Sequence, residues 1–232
     1  MPTPISEPEA RRLRLQSLLL TPSARGVAAD PGAVVEWFGA MQAQDVASGH
    51  WSFGVRLPGS TNADIDRATH DRQIVRTWPM RGTIHFVPPA DVTWMLQLTG
   101  VRSMRGVERR WDILGLEEAT VRAAAEAVGA ALAAGPMTRA EILASLQSGG
   151  IDVSGQRGYH VLWYASQTGV SVIGPQRGKE QTFALASDWL PPQVELDRDE
   201  ALRTLALRFF RSHGPAAKTD FTGWTGLTAT DT

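Results

Sequence analysis

"GPMTRAEILASLQSGGIDVS", residues 135–154, decides the fold. Gly135-Pro136 stops the helix before it, since glycine caps a helix end and proline cannot continue the hydrogen-bond ladder. Thr138 and Glu141 form a capping box that opens a new helix, with Ile142, Leu143 and Leu146 on its apolar side. "SGGIDVS" makes a turn, and Ser154 opens a further helix predicted to run through Thr168. Upstream, Glu117 to Ala134 reads as an alanine-rich helix. Downstream, "VSVIG" and "TFALA" are strands joined by "PQRGKEQ", a turn carrying Arg177 and Lys179. Three helices and a hairpin in this order are the layout of a winged helix-turn-helix.

The first half repeats the layout less cleanly. Residues 7–20 read as a helix with Leu13, Leu15, Leu18, Leu19 and Leu20 on its apolar side. Asp30-Pro31 is an N-cap with proline at the first helical position, followed by Val34, Val35, Phe38 and Met41 at helical spacing. Gln42 continues that stripe and is expected to point toward the core. A third helix is predicted from Asn62 to His70, then a hairpin from "QIVRTWPM" and "GTIHFV" with Arg81-Gly82 at its tip. In "GTIHFV", Ile84 and Phe86 face one way, and Thr83, His85 and Val87 the other. The 19 residues from 43 to 61 exceed the short turn of a helix-turn-helix, so they read as an insertion, which holds Gln44. A third copy starts at Leu196 to His213, repeats Gly-Pro at Gly214-Pro215, and continues with "AKTDFTGWTG".

The pattern therefore predicts an α+β, mostly helical fold of tandem winged helix-turn-helix domains. Residues 1–100 are the first, 101–195 the second, and 196–232 an incomplete third. A lone pair of helices buries little surface, so the chain reads as a C-terminally truncated piece, with residues 214–232 expected to be mobile or pinned only by crystal neighbours.

Composition narrows the function. A hydrophobic fraction of 43% and a charged fraction of 20% are ordinary for a globular protein. The absence of cysteine excludes a disulfide framework and a zinc ribbon. No apolar run approaches the roughly 20 residues of a membrane span, and the N-terminus lacks a signal-peptide core, so a cytoplasmic protein is expected. The net charge of −1 argues against a surface coated in nucleic acid. Residues 67–111, however, hold eight arginines against three acids, a local excess suited to phosphate.

"MQAQD", "RTWPMRGTIHFVPPAD" and "GPQRGKEQTFAL", in this order within tandem winged helices, resemble the winged-helix DNA glycosylases of the AlkZ/YcaQ type, which unhook interstrand crosslinks. The resemblance covers the chain from about residue 10 to its end. It implies a Gln-x-Gln motif of the AlkZ-like branch at Gln42-Ala43-Gln44, double-stranded DNA, alkylated or crosslinked, as the partner, and no metal or other cofactor. It also implies a third winged helix and a C-terminal β-barrel beyond this sequence.

Two amides suit that chemistry. Alkylation at N7 makes a purine a good leaving group, so its glycosidic bond breaks through an oxocarbenium-like transition state without strong acid help. Carboxamides can place a water and direct their dipoles at the cationic sugar. Gln42 and Gln44 are thus the candidate catalytic residues. Arg76, Arg81, His85, Arg177 and Lys179, on or beside the wings, are the candidate DNA contacts. The rival reading is a non-catalytic tandem winged-helix DNA-binding protein of the transcription-regulator type. Against it stands the long insertion carrying Gln-Ala-Gln, which a simple reader of DNA does not need.

Overall fold

A computed structural model describes residues 5–24 and 26–232. Helix α1 (Glu7–Ser17) is capped by Ser6 and buries none of its own residues; Leu19, just beyond it, is the anchor. Asp30 caps α2 (Pro31–Phe38), accepting a hydrogen bond from the Ala33 amide at 2.8 Å. The helix does not reach Gln42. Gly39 adopts φ 77°, which a Cβ would strain, and its N–H bonds back to the Val35 carbonyl, ending α2 there.

The chain then extends as β1 (Met41–Gln42) and starts α3 (Val46–Gly54) at an Asp45 cap. The stretch 43–61, expected to be an insertion, therefore holds a helix, with the strand β1 directly before it. With α4 (Asn62–His70), the helices α2 and α3 complete the first half, and α1 stands outside the set. The hairpin follows as β2 (Val75–Met80) and β3 (Thr83–Val87).

A helical connector leads to the second half: α5 (Val92–Met95), a π turn over Leu96–Gly100, α6 (Val101–Ser103) and α7 (Glu108–Leu114). There the order recurs, as α8 (Glu118–Leu132), β4 (Met137–Thr138), α9 (Arg139–Ser148), α10 (Arg157–Gln167), β5 (Ser171–Ile173) and β6 (Thr182–Leu185). The capping box at Thr138 and Glu141 forms as expected, with both reciprocal bonds present. A short α11 (Ala186–Trp189), then α12 (Arg198–His213) and α13 (Lys218–Thr225), complete the described chain.

The six strands of the described residues join one antiparallel sheet in the order β1-β3-β2-β5-β6-β4. In each half the short strand pairs with the second hairpin strand. The first hairpin strands meet in the middle, where Arg76 pairs with Ile173. Alternation along the strands splits the sheet between two cores. Ile84, Phe86, Ile173 and Phe183 belong to one, together with α2, α3, α4, α8, α9 and α10. Val75, Val87, Val172 and Ala184 belong to the other, under the connector, α11, α12 and α13.

That second core corrects the expectation of a mobile end. Phe209, Phe221 and Leu227 are buried in it, and Arg208 of α12 pairs with Glu36 and Asp91 at 2.6 and 2.5 Å. Trp78, Trp94, Trp111 and Trp163 are all buried.

Candidate active site

Gln42 and Gln44 flank Ala43 in an exposed–buried–exposed pattern. The Ala43 methyl faces α3, where a Cβ on Gly49 would lie 3.5 Å from it and 3.0 Å from Phe86 Cε2. Glycine there lets α3 close onto the motif strand. Gln42 is thus exposed on a strand, not aimed at the core from a helix.

Three hydrogen bonds fix the segment. The Ala43 N–H donates to the Ile84 carbonyl at 2.8 Å, and the Ile84 N–H donates to Gln44 Oε1 at 3.0 Å. The third bond runs from Arg76 Nη2 to the Ala43 carbonyl at 3.0 Å. Because an N–H needs an acceptor, Ile84 sets the orientation of the Gln44 amide: oxygen toward β3, NH₂ group outward. Gln42 has no side-chain hydrogen bond among the described residues, so its carboxamide is free to turn. Asp45 contributes the cap of α3, accepting from the Ser48 N–H at 2.7 Å, and hydrogen bonds from Ser48 hold its carboxyl below the usual range.

Gln44 lines a cavity of about 120 Å³ with Trp78 and Ile84 on its own side. Facing them from the second half are Arg139, Tyr159, Gln181 and the ring of Phe183. A larger hollow of about 550 Å³ lies between α3 and the start of α4, lined by His50 and Trp51. Neither glutamine lines it, so the smaller cavity is the relevant one.

Two expected DNA contacts lie inside the protein. Arg76 is 4% exposed, with its guanidinium 5.8 Å from the Phe86 ring centre and its Nε without a partner among the described residues. Burial lowers its pKa to about 10, so it stays charged at neutral pH. It meets the Ala43 carbonyl instead of solvent. His85 is 1% exposed because both faces of β3 are covered. Its Nδ1–H donates to the Thr83 carbonyl at 2.9 Å, and its Nε2 has no partner among the described residues.

Burial is also the main reason the His85 pKa falls from 6.5 to about 4. Between those values the unfolded chain takes up a proton that the folded one refuses, so stability falls as pH drops from about 6.5 to about 4. The loss should approach about 3 kcal/mol. Urea unfolding across that range should show it, and His85→Leu should flatten the dependence; an equally steep variant would assign the pH effect to other groups.

The remaining candidates are at the surface but apart. Arg81, at the hairpin tip with φ 53°, turns toward α13, its Nη1 3.5 Å from the Gly223 carbonyl. Arg177 is half-exposed and bonds to Glu141 and the Pro136 carbonyl at 2.7 and 2.8 Å. Lys179 is exposed on the same turn. Arg139 and Tyr159 were not among the sequence candidates. The capping box marks Arg139 only as a helix start, and Tyr159 falls without distinction inside the helix predicted from Ser154 to Thr168.

Residues 35–232 match the family model described as DNA glycosylase AlkZ-like. The chain is 26% identical over 230 residues to the interstrand DNA cross-link repair glycosylase of Streptomyces sahachiroi, covering 94% of this chain and 60% of that protein. It also superposes on the solved Streptomyces sahachiroi DNA glycosylase AlkZ with a TM-score of 0.73 and 22% identity, over 97% of this chain and 65% of that one. The chain thus spans about three-fifths of the length of that curated relative. With the match running through the glutamine motif and both halves of the sheet, the chain belongs to the AlkZ-like DNA glycosylase family.

Proposed function

We propose that the protein, in its complete form, is a DNA repair glycosylase that hydrolyses the N-glycosidic bond of N7-alkylated or crosslinked purines. The observation that carries this reading is the pair of exposed amides flanking buried Ala43 in a segment held by three hydrogen bonds, with Gln44 lining the inter-half cavity. Family membership supports DNA as the substrate.

A water oxygen attacks C1′ as the C1′–N9 bond breaks. The bonding electrons pass to the base and neutralise its N7 cation, and the water proton leaves to solvent. Gln42, free to turn, accepts a hydrogen bond from that water. The outward NH₂ group of Gln44 donates to its oxygen and holds its position. Amides do not titrate, and they provide this help only to a base already activated as a leaving group, which spares normal purines. The domain division at residues 1–100, 101–195 and 196–232 as tandem winged helices belongs to the same proposal. It is supported by the recurrence of helix, short strand, two helices and hairpin.

Incubating the complete protein with duplexes that carry N7-methylguanine or a crosslink should release free base and leave an abasic site. Sequence-preferring binding with no release would favour the transcription-regulator reading instead. Binding should also weaken as salt rises, and Arg177→Ala or Lys179→Ala should each reduce the slope of log affinity against log salt by about one. Unchanged slopes would remove that turn from the interface.

A further inference from the structure

We infer that the second half supplies a nucleotide-holding wall opposite Gln44, with Arg139 taking a DNA phosphate and Tyr159 stacking on a base beside the lesion. This rests on the glycosylase reading and deepens it. Both residues line the cavity that Gln44 lines, from the far side of the sheet seam.

The chemistry of the pair is that of a nucleotide clamp. Arg139 is exposed, and no carboxylate lies within 4 Å of it among the described residues, so its charge is available to an anion. Tyr159 leaves 43% of its surface exposed, whereas Trp163 and Tyr164 on the same helix are buried. A cation beside an uncovered ring is how proteins hold a nucleic-acid strand: the phosphate meets the guanidinium, and the base lies on the aromatic face.

Both groups sit on rigid supports. Arg139 is the first residue of α9, directly after the Thr138 cap whose reciprocal bonds with Glu141 fix the helix start. Tyr159 stands edge-on to His160, with ring centres 5.5 Å apart, and His160 stands edge-on to buried Trp163. Gly158 seats the start of α10 against Leu143, where a Cβ would lie 2.6 Å from Leu143 Cδ2 and 3.0 Å from the Val153 carbonyl. Arg157 Nε ties the same turn to the Leu114 carbonyl at 2.7 Å. A preset ring loses little freedom on binding, and a fixed helix start limits where the Arg139 side chain has to search, which favours their use in recognition.

The test uses the complete protein, a duplex with one N7-methylguanine, and the same duplex undamaged. Tyr159→Ala should weaken binding to the damaged duplex roughly five- to hundredfold, the scale of one lost base–aromatic stack, and leave undamaged binding nearly unchanged. Tyr159→Phe, which keeps the ring, should bind like the parent. Arg139→Ala should weaken both complexes and lower the salt slope by about one. Both side chains are exposed, so thermal unfolding should not move. The proposal is overturned if Tyr159→Ala keeps the parental preference for damage, if Tyr159→Phe is as impaired as Tyr159→Ala, or if Arg139→Ala leaves the salt slope intact. A parent that releases no base refutes the glycosylase reading itself. A parent that releases base while all three variants behave like it refutes only the wall.

Discussion

Gln42→Ala and Gln44→Ala, each in the complete protein, are expected to slow base release by roughly a hundred- to thousandfold, about 2.7–4 kcal/mol of transition-state stabilisation. Their effects on folding should differ. Gln42 is exposed and without a side-chain partner among the described residues, so its loss leaves the thermal midpoint in place. Gln44→Ala strands the Ile84 N–H, at a cost of about 1–3 kcal/mol if water does not replace the amide. Gln44→Glu separates the two roles, since a carboxylate still accepts from Ile84 but no longer offers an NH₂ group. It should fold like the parent and turn over slowly. Parental release rates in Gln44→Glu would show that Gln44 serves only to anchor the strand.

Phe86→Ala should be among the most damaging changes to stability, at about 3–5 kcal/mol. The ring is fully buried, lies 5.1 Å centre to centre from Phe53, and carries Arg76 over one side and Gly49 against its edge. Its removal unseats the guanidinium that holds the Ala43 carbonyl and the helix that closes onto the motif. Urea unfolding should show a lower midpoint with an unchanged slope. A loss below about 1 kcal/mol would mean that α3 and β1 are held in place without this contact.

Local signals made much of this architecture legible. The Thr138–Glu141 capping box, the Gly135-Pro136 stop and both hairpins lie where the sequence places them. The course of the motif strand was misread because Val34, Val35, Phe38 and Met41 keep helical spacing past the true helix end. Gly39 was the available signal, a C-terminal cap that turns the next residues into a strand. With it, Asp45 becomes the N-cap of a helix inside the stretch read as an insertion, accepting from the Ser48 N–H.

What no local pattern carries is the second core. Strand alternation put His85 opposite Ile84 and Phe86 correctly, yet the face it lies on is covered by helices more than a hundred residues away in sequence, such as α12. Arg76 disappears for a similar reason, at the seam where strands from the two halves meet. A basic cluster in sequence is therefore not a basic face in space. Of the wing candidates, Arg81, Arg177 and Lys179 reach the surface and Arg76 and His85 do not. Arg139 and Tyr159 carry no local signal, because their facing partner, Gln44, is about a hundred residues away along the chain.

The pair of amides is best tested by single-turnover release of N7-methylguanine from duplex DNA by the complete parent, Gln42→Ala, Gln44→Ala and the double variant. If both amides hold one water, the double variant loses less than the product of the single losses, because the first substitution already releases that water. DNA affinity should stay parental throughout. Release at the parental rate by the double variant would contradict a catalytic role for the pair. Strictly multiplicative losses would contradict a shared water.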